Sequence, residues 1–150
     1  MTQTNKTNDA TNPNDTVIKE ILGTMRRVAV VGLSANADRA SHGVARFMQG
    51  QGFDVIGVNP SLVGQDVLGM AIVGTLAEAA ADGPIDVVNV FRRSETVPPI
   101  IDEAIAIAAK SIWMQEGIIH EEAARKARDA GLHVIQDRCL YKEWLRLMNG

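Results

Sequence analysis

The residues best placed to do chemistry fall in and around one short segment. Between Arg27 and Ser41 the chain reads Arg27-Val28-Ala29-Val30-Val31-Gly32-Leu33-Ser34, then a polar stretch that includes Asn36, Asp38, Arg39 and Ser41. A run of small and β-branched residues that breaks at glycine and then takes up helical spacing describes a buried strand, a turn and a helix start. Such a junction turns backbone N–H groups and the positive end of a helix dipole toward whatever lies above the strand, and phosphate is the guest this suits. Arg39 adds a guanidinium, which donates paired hydrogen bonds to phosphate oxygens. Four other apolar runs end in polar or glycine-bearing residues: Asn59-Pro60-Ser61, Val90-Phe91-Arg92-Arg93, Gln115-Glu116-Gly117 and Asp137-Arg138-Cys139.

The turn at Gly32 departs from the dinucleotide fingerprint G-x-G-x-x-G, because Ser34 stands where the second glycine belongs. Asn59 ends the second strand, where an NAD site usually carries an acid for the ribose hydroxyls. An uncharged residue there tolerates a phosphorylated ribose, and Arg39, helped by Arg92 or Arg93, supplies charge for it. One of the two latter arginines is expected to pair with Glu95 or Asp137. Cys139 has no positioned base in view and reads as a partly buried structural cysteine. His42 borders the phosphate loop as a secondary candidate. Trp113 and Trp144 read as packing residues, and Glu116 alone makes no acid–base pair. His42, His120 and His133 are scattered without metal-binding spacing.

These residues need strands and helices to position them. A helix is predicted from Asp15, as its N-cap, through Met25, and a second helix carries Val44, Phe47 and Met48. The second strand is Asp54 to Val58. A glycine-rich stretch follows, with an extended piece at Val67 to Met70, and Thr75 caps a brief helix. Strands are predicted at Ile85 to Phe91, Ser111 to Met114 and Leu132 to Ile135. Between them lie a helix opened near Ser94 with Pro98-Pro99 in its first turn, and another at Glu121 to Ala130. A final helix, Leu140 to Met148, is expected to cover one edge. Strands alternating with helices imply parallel pairing, hence a three-layer doubly wound α/β fold of Rossmann-like type with a mainly parallel five-stranded sheet.

The composition sets bounds on function. A chain of 150 residues fits one domain, expected to span 15–150 behind a Thr-, Asn- and Asp-rich tail, 1–14, that reads as disordered and lacks the apolar core of a signal peptide. The net charge of −3 argues against a general nucleic-acid binder. No apolar run reaches the roughly 20 residues of a membrane-spanning helix. One cysteine excludes an internal disulfide and suits a reducing cytoplasm.

Taken together, Val30-Val31-Gly32-Leu33-Ser34, Asp38-Arg39-Ala40-Ser41, Val58-Asn59-Pro60, Val90-Phe91-Arg92-Arg93-Ser94, Trp113-Met114-Gln115-Glu116-Gly117 and Asp137-Arg138-Cys139 resemble the small stand-alone CoA-binding domain family. That family is similar to the nucleotide-binding domain of the succinyl-CoA synthetase α subunit. The resemblance implies that coenzyme A or an acyl-CoA is the ligand. Gly32, Leu33 and Ser34 would then contact pyrophosphate, with Arg39 and Ser41 assisting. Asn59 and Pro60 would border the adenosine, and Val90, Phe91 and Arg92 would line the adjoining wall. Gln115, Glu116 and Gly117 would lie toward the pantetheine arm. The larger synthetases carry their phosphorylated histidine in another domain, so ligase activity does not transfer and no catalytic residue is assigned. A homodimer or an acyl-CoA enzyme partner is compatible with this reading. The alternatives are an NAD(P)-dependent oxidoreductase and a nucleotide-sensing regulatory module.

Overall fold

The computed structural model describes residues 11–148. Its elements in chain order are α1 (Asp15–Thr24), β1 (Arg27–Val31), α2 (Ala40–Gly50), β2 (Asp54–Val58), β3 (Ile72–Val73), α3 (Leu76–Ala79), β4 (Val87–Val90), α4 (Val97–Ala106), β5 (Ser111–Met114), α5 (Glu121–Asp129), β6 (His133–Ile135) and α6 (Leu140–Met148). All strand pairs are parallel and the sheet order is β3-β2-β1-β4-β5-β6. That order reverses direction between β1 and β4, the mark of a doubly wound Rossmann-like sheet.

Strand alternation divides the core into two layers. Val28 and Val30 of β1 face a cluster with Ile18 and Leu22 of α1, Val44 and Met48 of α2, and Leu140 of α6. Ala29 and Val31 point the other way, to Leu76 of α3, Ile101 of α4 and Ala124 of α5. Because both faces are covered, the central strands are largely apolar rather than alternating in polarity, and the buried Asn89 of β4 donates its Nδ2–H to the Trp113 carbonyl.

Four expectations are corrected. The sheet has six strands, not five. The extended piece belongs at Ile72–Val73 and not at Val67 to Met70, because Leu68 and Gly69 turn the chain with φ of 56° and 68°. Only beyond that turn does the ladder form, with Gly57 and Asn59 N–H donating to Ala71 and Val73 carbonyls. The cap of α1 is Asn14, whose side chain accepts from Val17 N–H, and Asp15 is freed to pair with Arg146 of α6 at 2.8 Å. Last, α6 packs on α1 and α2 as part of a helical layer rather than across an edge, with Trp144 edge-on to Phe47 and Phe53.

The tail expectation for residues 1–10 lies outside the described residues. Docking begins earlier than Asp15, since Asn12 is buried and exchanges two hydrogen bonds with the Gln136 backbone at 2.8 and 3.0 Å. Trp113 is a core residue, as expected, with its indole N–H on the Arg138 carbonyl.

At the opposite end of the sheet from the Gly32 turn, Asp86 joins α1, β1 and β4. Burial pushes its carboxyl up, but the N–H groups of Arg27 and Arg26 and the Lys110 ammonium outweigh that and hold it below its ordinary value of 3.8. A carboxylate depressed in the folded state contributes stability that is complete above the unfolded value and is lost as pH falls through the folded one. Asp86→Asn is therefore expected to cost about 1 kcal/mol near pH 7, the difference between charged and neutral acceptors. The gap to the parent protein should close as the pH drops below 3.8, which urea midpoints at pH 7 and in acid would show. A gap that stays constant with pH would contradict this account.

Candidate functional site

The C-terminal ends of β1, β2 and β4 enclose a cleft of about 530 Å³. This is the position at which open parallel sheets bind ligands, where the strand order reverses. A cavity of similar size, about 540 Å³, lies at the other ends of the strands among Glu20, Asp86, Lys110 and His133.

The floor of the cleft is the Gly32 turn. Gly32 has φ of +92°, and its N–H is held by the Val58 carbonyl at 3.0 Å. A Cβ added there would sit 3.1 Å from the Phe91 carbonyl oxygen, a crowded contact that adds to the strain of the positive φ and makes glycine the residue that suits the turn between β1 and β4. Leu33 is fully buried and lies across β2, where Gly57 makes room for it. A Cβ on Gly57 would come within 2.6 Å of Leu33 Cδ2. The side chain of Leu33 thus anchors the loop, and only its backbone borders the cleft.

The loop is held by its own side chains. Ser34 N–H donates to Ser41 Oγ (2.9 Å), Asn36 N–H to Ser34 Oγ (3.0 Å), and Asp38 N–H to Asn36 Oδ1 (2.9 Å). These are the short-range turns that Ser and Asn favour. The N–H groups of Leu33 and Ala35 find no partner among the described residues. Helix α2 then opens at Arg39, whose side chain makes no capping bond. Among the described residues nothing pairs with the Arg39 side chain, which is exposed at the rim. An uncapped helix start, unmatched loop N–H groups and an unpaired guanidinium make an anion-binding wall, and no carboxylate lines the cleft.

The predicted residues do not all converge. Gly32, Leu33, Ser34, Arg39, Ser41, Asn59 and Phe91 share the cleft. Pro60 is exposed at the start of the short 3₁₀ turn Pro60–Leu62, and Leu62 rather than Pro60 forms that wall. Val90 is fully buried in the opposite core layer and offers the cleft no side-chain surface. Arg92 is half-buried beside Gly32, its Cδ 3.4 Å from where a Gly32 Cβ would stand, and it has no ion pair among the described residues. Arg93 pairs with Glu95 at 3.6 Å. Gln115 and Glu116 border a different groove along α2, where Glu116 pairs with Lys142 at 3.0 Å. Gly117 faces a third, shallow groove with Arg92 and Arg93, and its N–H is occupied by Asp137 Oδ1 at 2.7 Å.

Asn59 has a part that its position alone did not reveal. Its Nδ2 donates to the Leu33 carbonyl (2.8 Å) and its Oδ1 accepts from Ser61 N–H (2.9 Å), so it ties the β1 loop to the β2 loop. Ala35, Asn36, Ala40 and Leu62 also line the cleft and were not singled out. The Ser34-x-Asn36-x-Asp38 spacing of turn-forming side chains was the available signal for Asn36; nothing local marks Leu62. Cys139 is 7% exposed and sits in the core cluster. His42 is buried on the inner face of α2, with its Nδ1 unpartnered. His120 caps α5 by accepting from Ala123 N–H. Among the described residues there is no cluster of His, Cys, Asp and Glu suited to a metal, and no helix is long and apolar enough to cross a membrane.

The fold and this chain's sequence recur in other proteins. The chain is 45% identical over 129 residues to the uncharacterised protein YneT of Bacillus subtilis (strain 168), covering 86% of this chain and 93% of that one. A hypothetical protein from Pyrococcus horikoshii OT3 superposes with a TM-score of 0.86 at 30% identity, over 99% of each chain. The dinucleotide-forming acetyl-coenzyme A synthetase 1 of Ca. Korarchaeum cryptofilum shares the fold, with a TM-score of 0.63 at 21% identity over 77% of this chain and 26% of that one. Residues 26–144, from the strand before the Gly32 turn into α6, match the family model described as a CoA binding domain, and the chain belongs to that CoA-binding domain family.

Proposed function

We propose that the cleft binds coenzyme A or an acyl-CoA, with its phosphates against the Gly32 to Ser41 loop and the first turn of α2, and its adenosine toward Asn59 and Leu62. The observation that carries this reading is the uncapped start of α2 at Arg39, opening over a cleft without carboxylates. A free ribose diol would call for an acid at the end of β2; here Asn59 stands there, and both of its polar atoms are engaged within the protein. A ribose phosphate instead finds Arg39 and, across the Gly32 turn, Arg92. Phe91 supplies an adjoining apolar wall. The arm beyond the phosphates runs toward Gln115 and Glu116, whose groove shares Ala40 with the cleft.

The role is that of a CoA-binding module of the cytoplasm, serving as a carrier, a sensor or a partner of an acyl-CoA enzyme. Its single cysteine fits a reducing compartment. Calorimetric titration with CoA, NAD, NADP and ATP tests the ligand. Saturable heat with CoA, and much weaker or no heat with NAD, is expected. Tight binding of NAD or NADP with none of CoA would contradict the proposal.

A further inference from the structure

The cavity of about 540 Å³ at the N-terminal ends of the strands matches the phosphate cleft in size and is its electrostatic opposite. Parallel strands joined by helical crossovers bring helix C-termini together there. Met25 at the end of α1, Ala108 after α4 and Gly131 after α5 all line it. A helix C-terminus carries the negative end of the helix dipole, and neither α1 nor α4 places a basic residue in its last turn to offset it. Among the side chains, Asp86 and Lys110 offset each other at 3.3 Å. Glu20, exposed on α1, has no ion pair among the described residues. The balance of charge favours a cation.

An independent observation points to a ligand. Ser111 opens β5, in register between Val87 of β4 and His133 of β6. It shares a face of the sheet with Trp113, two residues on, and that face is the one covered by α1. Ser111 lines the cavity and is only 2% exposed, yet its hydroxyl has no hydrogen-bond partner among the described residues. Native proteins seldom leave such a group unmatched.

We propose that this cavity is a second ligand site, for a small aliphatic amine. Its ammonium group donates to Ser111 Oγ within the field of the three helix ends and Glu20, and its hydrocarbon chain lies on Ile21, Met25 and Leu132, which supply apolar wall. A concave, largely apolar site with a few placed polar groups is the usual form of a small-molecule pocket. The inference is independent of the CoA reading, because the two sites lie at opposite ends of the sheet.

Backbone amide NMR at neutral pH, with n-butylamine and with butyrate as a probe of similar length and opposite charge, tests the proposal. Saturable shifts at Glu20, Ser111 and Leu132 are expected with the amine and none with butyrate. Ser111→Ala should weaken the amine about tenfold, the value of one charge-assisted hydrogen bond. Glu20→Gln should weaken it about threefold, as befits an exposed charge. It alters only a solvent-facing side chain, so it decides the matter if Ser111→Ala fails to fold. No saturable shift with the amine would overturn the proposal. So would butyrate shifting the same amides, or amine binding that neither substitution weakens.

Discussion

Gly32→Ala is expected to reduce CoA affinity at least about tenfold, or roughly 1.4 kcal/mol, and to destabilise the protein by about 2 to 4 kcal/mol, the sum of left-handed backbone strain and local overpacking. The added methyl would stand 3.1 and 3.2 Å from the carbonyl oxygen and carbon of Phe91. These backbone atoms cannot move freely, because Phe91 N–H is held by the Val31 carbonyl at 2.9 Å. Gly32 is pinned in turn to Val58 on β2. Relief must come from the loop after Gly32, which carries the unmatched N–H groups and the start of α2. Gly52 provides the control, since it has nearly the same φ, +91°, with nothing within 4 Å of an added Cβ. Gly52→Ala should cost only the backbone strain and leave CoA binding intact. Urea unfolding and calorimetry on the two variants separate strain from site distortion, and equal loss of binding in both would contradict the account of the turn.

Arg39→Ala is expected to weaken CoA by roughly 10- to 100-fold, the value of one or two charge-assisted hydrogen bonds. Stability should change by no more than about 0.5 kcal/mol, because the side chain is exposed and makes no interaction among the described residues. Dephospho-CoA, lacking the ribose phosphate, should lose less than CoA does. Arg39→Lys should fall between, keeping the charge but losing the paired donors. Equal losses for CoA and dephospho-CoA would place Arg39 on the pyrophosphate instead.

Much of this organisation is legible in the chain. Val28 to Val31 are small and β-branched because β1 is covered on both faces, and Gly32 follows because the chain must turn against Phe91. The capping of α3 by Thr75 and the placement of Pro98 in the first turn of α4 are local chemistry, and local chemistry reads well. What escaped depends on distant partners. The short β3 is recognisable only by its ladder to Gly57 and Asn59, fifteen or so residues upstream. The α1 cap shifts from Asp15 to Asn14 because Arg146, at the far end of the sequence, claims the aspartate.

The site shows the same division. The phosphate-facing half, from Gly32 to Ser41, is contiguous and could be read as one unit. Asn59 was found by its place at a strand end, but the hydrogen bond to Leu33 that defines its work crosses 26 positions. Val90 was grouped with Phe91, although successive residues of a strand face opposite sides; that alternation sends Val90 into the far core layer. Gln115 and Gly117, adjacent to Glu116 in sequence, separate into two grooves where the chain leaves β5.

The central claim is that CoA binds at the C-terminal ends of β1, β2 and β4, and backbone amide NMR during a CoA titration tests it most directly. The account predicts the largest shifts at Gly32, Leu33, Ala35, Arg39 and Ala40, with little change at Glu20, Lys110 and His133 around the cavity at the other end of the sheet. Shifts concentrated on Glu20, Lys110 and His133, with the Gly32 loop unmoved, would contradict it.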